Sequence, residues 1–204
     1  VKRNVAEQEK LQVNTLSNGT LRINNGGKFV HKTTRSAAGT SAAVILSTAA
    51  GTEKGIYEYD IPGISSYAMG ANGRTYGSLM LTRSGGAATY TTSGASDLTI
   101  KGDLTINNGV TYTTSMTGAM NIGGNLTNNG TALTIAVSQP VNFNGTTTQL
   151  ISGTNKITLA GAVTITSGSL VDIAPNFGLT VTGSLTNNGT LNLLSTAAGT
   201  ATIL

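Results

Sequence analysis

Short runs with an apolar residue at every second position recur along the chain, separated by Gly, Ser and Asn. Asp97-Leu98-Thr99-Ile100, Lys156-Ile157-Thr158-Leu159, Ala162-Val163-Thr164-Ile165 and Leu179-Thr180-Val181 are examples, and Ser78-Leu79-Met80-Leu81 is a more apolar version. Successive side chains on a strand face opposite ways, so this alternation predicts strands with one face buried. The pieces are short for a sandwich strand and suit one side of a solenoid coil. No segment after Gly51 carries helical periodicity. Before it, the charged stretch Val5-Ala6-Glu7-Gln8-Glu9-Lys10-Leu11 has room for a helical turn or two.

Four Asn-Asn-Gly motifs follow strand-like pieces: Leu21-Arg22-Ile23-Asn24-Asn25-Gly26, Leu104-Thr105-Ile106-Asn107-Asn108-Gly109, Leu126-Thr127-Asn128-Asn129-Gly130 and Leu185-Thr186-Asn187-Asn188-Gly189. Their glycines are spaced by 83, 21 and 59 residues, near multiples of one unit of about 20. The pattern predicts an all-β fold, a right-handed parallel β-helix (β-solenoid) of about 20-residue coils spanning residues 15–204. Residues 1–14 read as a short N-terminal cap or tether. About ten coils stacked at the interstrand spacing would make a rod roughly 48 Å long. Apolar residues would point into a narrow core, with Thr and Asn outside or stacked in ladders along the axis. Gly26, Gly109, Gly130 and Gly189 are expected at corners with positive φ. A pair of immunoglobulin-like sandwiches is the rival fold. It predicts longer strands and an aromatic core, where this chain has no Trp and three Phe. The alternating end, Ala201-Thr202-Ile203-Leu204, has no closing turn and reads as the edge of a fragment.

Composition narrows the function. Thr occurs 35 times, Asn 19 and Gly 27 in 204 residues, which suits many turns between short strands. Leu, Ile, Val and Phe make up 47, few enough to approach disorder, yet net charge is only +4 and charged residues are 10%. A thin, extended core fits both facts. Eleven of the twelve Lys and Arg lie at or before Lys101; from Leu104 onward only Lys156, Asp172 and Tyr112 carry ionisable side chains. Such a half cannot neutralise a phosphate track, so no nucleic-acid partner is expected. The earlier basic residues Lys2, Arg3, Lys10, Arg22, Lys28, Lys32 and Arg35 read as a solvated face or cap, with Glu7 and Glu9 among them. No cysteine is present, so disulfides, thiolate metal sites and cysteine nucleophiles are excluded. No apolar run reaches the roughly 18 residues of a membrane-spanning helix, and no membrane insertion is expected. Val1-Lys2-Arg3 opens no signal peptide, so a secreted protein would be present here in its mature form.

Two stretches carry a resemblance. One runs from Tyr57-Glu58-Tyr59-Asp60 through Thr75-Tyr76-Gly77-Ser78-Leu79-Met80-Leu81-Thr82 and Gly85-Gly86 to Asp97-Leu98-Thr99-Ile100-Lys101-Gly102-Asp103-Leu104-Thr105-Ile106-Asn107-Asn108-Gly109. The other is Leu179-Thr180-Val181-Thr182-Gly183-Ser184-Leu185-Thr186-Asn187-Asn188-Gly189-Thr190-Leu191. With the repeats between them, residues 55–195 resemble the degenerate β-helical repeat regions of Bacteroidetes secreted surface proteins, adhesin-like cargo of type IX secretion. The resemblance implies a secreted or cell-surface protein that meets glycans or cell-surface proteins and passes through a secretion machinery. The C-terminal sorting domain of such cargo is not recognisable here.

Candidate chemistry is sparse. His31 is the single histidine, which excludes a multi-histidine metal site, and beside Lys32 it reads as a surface residue. Calcium solenoids need an Asp in nearly every turn, and the four here are scattered; no metal and no cofactor are expected. Sequons at Asn18, Asn125, Asn129, Asn144 and Asn188 follow from composition. Segment 53–76 is the best candidate site, with Glu53, Lys54, Tyr57, Glu58, Tyr59, Asp60, Tyr67, Arg74 and Tyr76. Alternation puts Glu58 and Asp60 on one strand face and both neighbouring tyrosines on the other. Either Tyr57, Tyr59, Tyr67 and Tyr76, with Glu58, Asp60 and Arg74, bind a glycan or protein, or the segment is a loop insertion whose tyrosines cover the core. An acid pair at i and i+2 is within glycosidase range, but the groove of further acids and aromatics such enzymes present is missing. The expectation is therefore a non-catalytic structural or adhesive solenoid. The alternatives are a carbohydrate-binding or carbohydrate-active β-helix, and a filament subunit that associates end to end through exposed strand edges.

Overall fold

A computed structural model describes residues 20–34 and 45–194. These residues contain strands and turns and no helix, and every strand pair is parallel. Three sheets form the walls of a solenoid with a three-sided coil. Sheet 1 has eight strands, from Lys28–His31 to Thr190–Leu193. Sheet 2 has six, from Ser66–Ala68 to Leu179–Val181, and sheet 3 has six, from Thr75–Tyr76 to Leu185–Asn187. From Ile56 onward the chain visits the sheets in the order 1, 2, 3 and returns to sheet 1 one rung higher. Parallel strands need a long connection between them. Here the other two sides of the coil provide it, so no helix is required.

The coil is longer than the spacing of the Asn-Asn-Gly motifs predicts. Leu104 pairs with Leu126, Tyr90 with Tyr112 and Ile100 with Ile122, each 22 residues apart, and sheet 1 also takes longer steps such as Leu79 to Leu104. The estimate of about 20 is thus close to the observed coil of about 22, and it runs slightly short because Asn128 takes the place of Ile106 in one motif and because the four motifs occupy two different corners. Gly26 and Gly189 lie on the approach to sheet 1, whereas Gly109 and Gly130 lie between sheets 1 and 2. Spacings measured across unlike corners add a fraction of a coil. The described residues stack into roughly six turns.

The glycines correct a second expectation. Gly26 and Gly109 have φ of 84° and 79°, while Gly130 and Gly189 are not in the left-handed region. The register explains the split. Asn128 pairs with Ile106, so Leu-Thr-Asn-Asn-Gly places its first Asn where Leu-Thr-Ile-Asn-Asn-Gly places Ile. After Ile106 the turn is closed by Val110 N–H donating to Asn107 C=O at 3.1 Å, with Gly109 at the left-handed position. After Leu126-Thr127 the buried Asn128 side chain itself accepts from Gly130 N–H at 3.2 Å. Gly130 is needed for space, because a Cβ there would lie 2.4 Å from Ile106 Cγ2 and from Val110 O.

Inward positions stack into columns along the axis. In sheet 1, Phe29, Tyr57, Leu79, Leu104, Leu126, Ile151 and Ile173 follow one another rung by rung. In sheet 2, Tyr67, Tyr90 and Tyr112 give way to Leu133. Burying an aliphatic side chain contributes about 1.5–3 kcal/mol, and a column repeats that gain at every rung. Where the core meets corner backbone, buried amides close it. Gln149 donates to Ile122 C=O at 2.9 Å and Gly124 C=O at 2.8 Å, and accepts from Gly145 N–H at 2.8 Å. Residues 1–14 and Ala201–Leu204, read above as a cap and an open edge, lie outside the described residues.

Candidate functional site

Segment 53–76 runs within the solenoid and supplies one strand to each sheet: Ile56–Tyr59, Ser66–Ala68 and Thr75–Tyr76. Alternation sends Tyr57 and Tyr59 inward, where they are buried with Tyr76, while Tyr67 is half-buried. The rings pack on one another, with Tyr57 to Tyr59 at 4.9 Å and Tyr57 to Tyr76 at 5.3 Å between centroids. The hydroxyls of Tyr59 and Tyr76 share a hydrogen bond at 3.3 Å. Burial raises the phenol of Tyr59 above the usual tyrosine range, holds those of Tyr57 and Tyr76 well above it, and pushes Tyr67 up to about 12. These are neutral core groups. Stacking on a sugar face requires an exposed ring, which Tyr57, Tyr59 and Tyr76 do not offer.

His31 joins the same cluster, against the expectation of a surface residue. It is 3% exposed, shares a hydrogen bond with Tyr57 through Nδ1 at 3.0 Å, and stacks on Tyr59 at 5.1 Å. The cause is alternation again: in Lys28-Phe29-Val30-His31 the inward positions are Phe29 and His31, paired with Tyr57 and Tyr59. An imidazole is tolerated there because neighbouring phenols supply both packing and a polar partner.

The outward carboxylates are committed to structure. Lys28 Nζ lies 2.9 Å from Glu58 and Lys32 Nζ 3.3 Å from Asp60. Asp60 also accepts from the N–H and the hydroxyl of Ser84, each at 2.7 Å. Burial alone would raise the Asp60 pKa, but the Ser84 hydrogen bonds and the Lys32 charge outweigh it, leaving the carboxyl below its ordinary value. Asp60 is therefore held as an anion with its oxygens occupied. A general acid needs a proton to give, and this environment disfavours one. Arg74 Nε donates to Gly70 C=O at 3.2 Å, bracing the turn before Thr75–Tyr76. Among the described residues no group of three His, Cys, Asp or Glu side chains could hold a metal ion.

The surface that stands out is one that no single residue of the sequence marks. On sheet 2, Thr91, Thr113, Thr134, Thr158 and Thr180 pair rung to rung as an unbroken outward column. Beside it Thr89 pairs with Thr111, and on the other side Ser93 pairs with Ser115. The seven-residue strands Ala88–Gly94 and Val110–Met116 make this the broadest regular patch, and no outward side chain on these strands is ionisable. The sequence does hold a signal for it: Thr-Tyr-Thr-Thr-Ser occurs at 89–93 and again at 111–115, one coil apart. Sheet 3 carries one outward column, Thr75, Thr99, Asn121, Asn142, Thr164 and Thr186, in which Asn142 donates its amide to Asn121 at 2.8 Å. Comparison with known proteins adds no name to these surfaces: no family model, no curated protein and no solved structure matches the chain.

Proposed function

We propose that the chain is a secreted structural or adhesive β-solenoid segment of a bacterial surface protein, without catalysis, whose working surface is its uncharged outer wall. The observation that carries this reading is the division of labour between inside and outside. The chemically versatile residues of segment 53–76 are taken up by the core and by Lys28, Lys32 and Ser84, while the repeating exterior is hydroxyl and amide. A rod whose length scales with rung number suits a stalk that displays such a wall away from a cell. The resemblance to Bacteroidetes surface repeats supports the secreted setting.

The test is to display the chain on a non-adherent bacterium and measure retention under flow on glycan-coated, protein-coated and bare surfaces. Retention above the undecorated strain is the expected result. Release of reducing sugar from a polysaccharide, abolished by Glu58→Gln or Asp60→Asn in a folded protein, would replace this reading with an enzyme.

A further inference from the structure

We propose that the threonine wall of sheet 2 binds crystalline water, adsorbing the solenoid to ice. The inference takes sheet 2 as the contact face of the proposed function and assigns it a ligand.

The column from Thr91 through Thr113, Thr134 and Thr158 to Thr180 repeats at every rung, a spacing of about 4.8 Å set by strand pairing. Ranks two residues apart on one strand, as at Thr111 and Thr113, stand about 7 Å from each other across the sheet. The wall is thus a line of hydroxyl and methyl groups, widened to three ranks on the strands Ala88–Gly94 and Val110–Met116, and its rung repeat is close to the second-neighbour oxygen spacing of ice. None of the column hydroxyls has a hydrogen-bond partner among the described residues, so each is available to water. β-Branching restricts χ1 of threonine, and in-register pairing places each hydroxyl relative to the next. Ordering this surface against a solid therefore costs little further entropy.

Charge would oppose such a ligand, because ions hold their own hydration shells and are expensive to strip. The outward positions of the sheet 2 strands carry none; Lys156 flanks them at the start of Ile157–Leu159. A polysaccharide fits less well, since the aromatic rings of these strands, Tyr90 and Tyr112, face the core. Each hydroxyl contact is weak, and the affinity comes from many rungs engaging one rigid lattice together.

The experiment measures thermal hysteresis, inhibition of ice recrystallisation and partition into a growing ice front with the full chain. Wild type should enter the ice and shape crystals. Thr113→Tyr, and separately Thr134→Tyr, should reduce both effects several-fold with circular dichroism unchanged. Thr164→Tyr on sheet 3 should leave them as in wild type. Wild type excluded from ice like an unrelated soluble protein would overturn the proposal, and so would equal losses in Thr164→Tyr. Retention on crystalline chitin or cellulose without ice activity, lost in Thr113→Tyr, would overturn the ice assignment while keeping the adhesive function.

Discussion

The coils before Gly94 and those after Leu126 fill the same three-sided cross-section with different material. In the first, rings occupy the core: Phe29 on Tyr57 at 5.0 Å, His31 on Tyr59 at 5.1 Å, and Tyr59 near Tyr90 at 6.2 Å. Each buried phenol needs a partner for its hydroxyl, so this core is a polar network as well as a packed one. Tyr90 O–H donates to Thr82 C=O at 2.9 Å and accepts from Ile61 N–H at 3.2 Å. In the later coils the columns are Leu, Ile and Val, Phe143 is the fully buried ring of that part, and polar contacts retreat to the corners at Asn128, Gln149 and Ser169. The charges follow the aromatics, with the ion pairs at Glu58, Asp60 and Glu53 all on the early coils. A parallel solenoid backbone thus accepts either filling, and what changes is how damage spreads.

Truncation of the core should show the largest effect. Leu104→Ala removes one element of an aliphatic column and should cost about 2–5 kcal/mol. Tyr90→Phe removes a single oxygen yet should still cost about 1–3 kcal/mol, because Ile61 N–H and Thr82 C=O lose a buried partner. Denaturant titration of both variants tests the comparison. A Tyr90→Phe protein as stable as wild type would mean that the early core is not a network.

Next come the corners. Gly26 has positive φ and open space where a Cβ would stand, with no atom within 4 Å, so Gly26→Asn should cost under about 1 kcal/mol. Gly130→Asn must displace Ile106 or the Val110 backbone and should cost about 1–3 kcal/mol. Equal losses at the two sites would erase the distinction between a conformational and a spatial requirement for glycine.

Alkali should act through the aromatic coils. Tyr57, Tyr59 and Tyr76 have folded pKa values raised above their unfolded value by burial. Their contribution is complete below about pH 10 and is lost as pH rises beyond it, by about 1.4 kcal/mol per pH unit for each phenol. Denaturation midpoints should fall steeply above about pH 10, with phenolate absorbance appearing together with unfolding. Phenols titrating freely in the folded chain would contradict the buried cluster.

The smallest expected effect is at low pH. Asp60 has a depressed folded pKa, so its contribution is present above its unfolded value, about 3.9, and disappears as pH falls through the folded one. Asp60→Asn should flatten the acid limb of stability relative to wild type. An unchanged acid limb would show that Lys32 and Ser84 do not stabilise the ionised carboxylate.

Much of this architecture is legible in the sequence because a strand with one buried face writes its orientation in every second residue. Leu98-Thr99-Ile100 and Tyr57-Glu58-Tyr59 both follow that rule, and so does His31, once it is counted from Phe29 rather than judged by residue type. Coil length is harder to read because Asn-Asn-Gly serves two turns, one led by Ile106 and one in which Asn128 takes the core position itself. The threonine wall is hidden for a different reason. Threonine is common in any strand, and only rung pairing shows that Thr91, Thr113, Thr134, Thr158 and Thr180 belong to one line.

The pairing that aligns these residues also sets how the molecule meets tension. Its backbone hydrogen bonds run along the rod, as where Leu104 N–H reaches Asn125 C=O and Asn129 N–H reaches Ile106 C=O in successive coils. A load applied along the axis falls on the terminal rung before the next, opening bonds in sequence rather than shearing a whole sheet at once. Each released coil of about 22 residues would add roughly 70 Å of contour for about 5 Å of rod given up. Under a pull such a solenoid would yield in steps and lengthen many-fold, with an extension counted in coils.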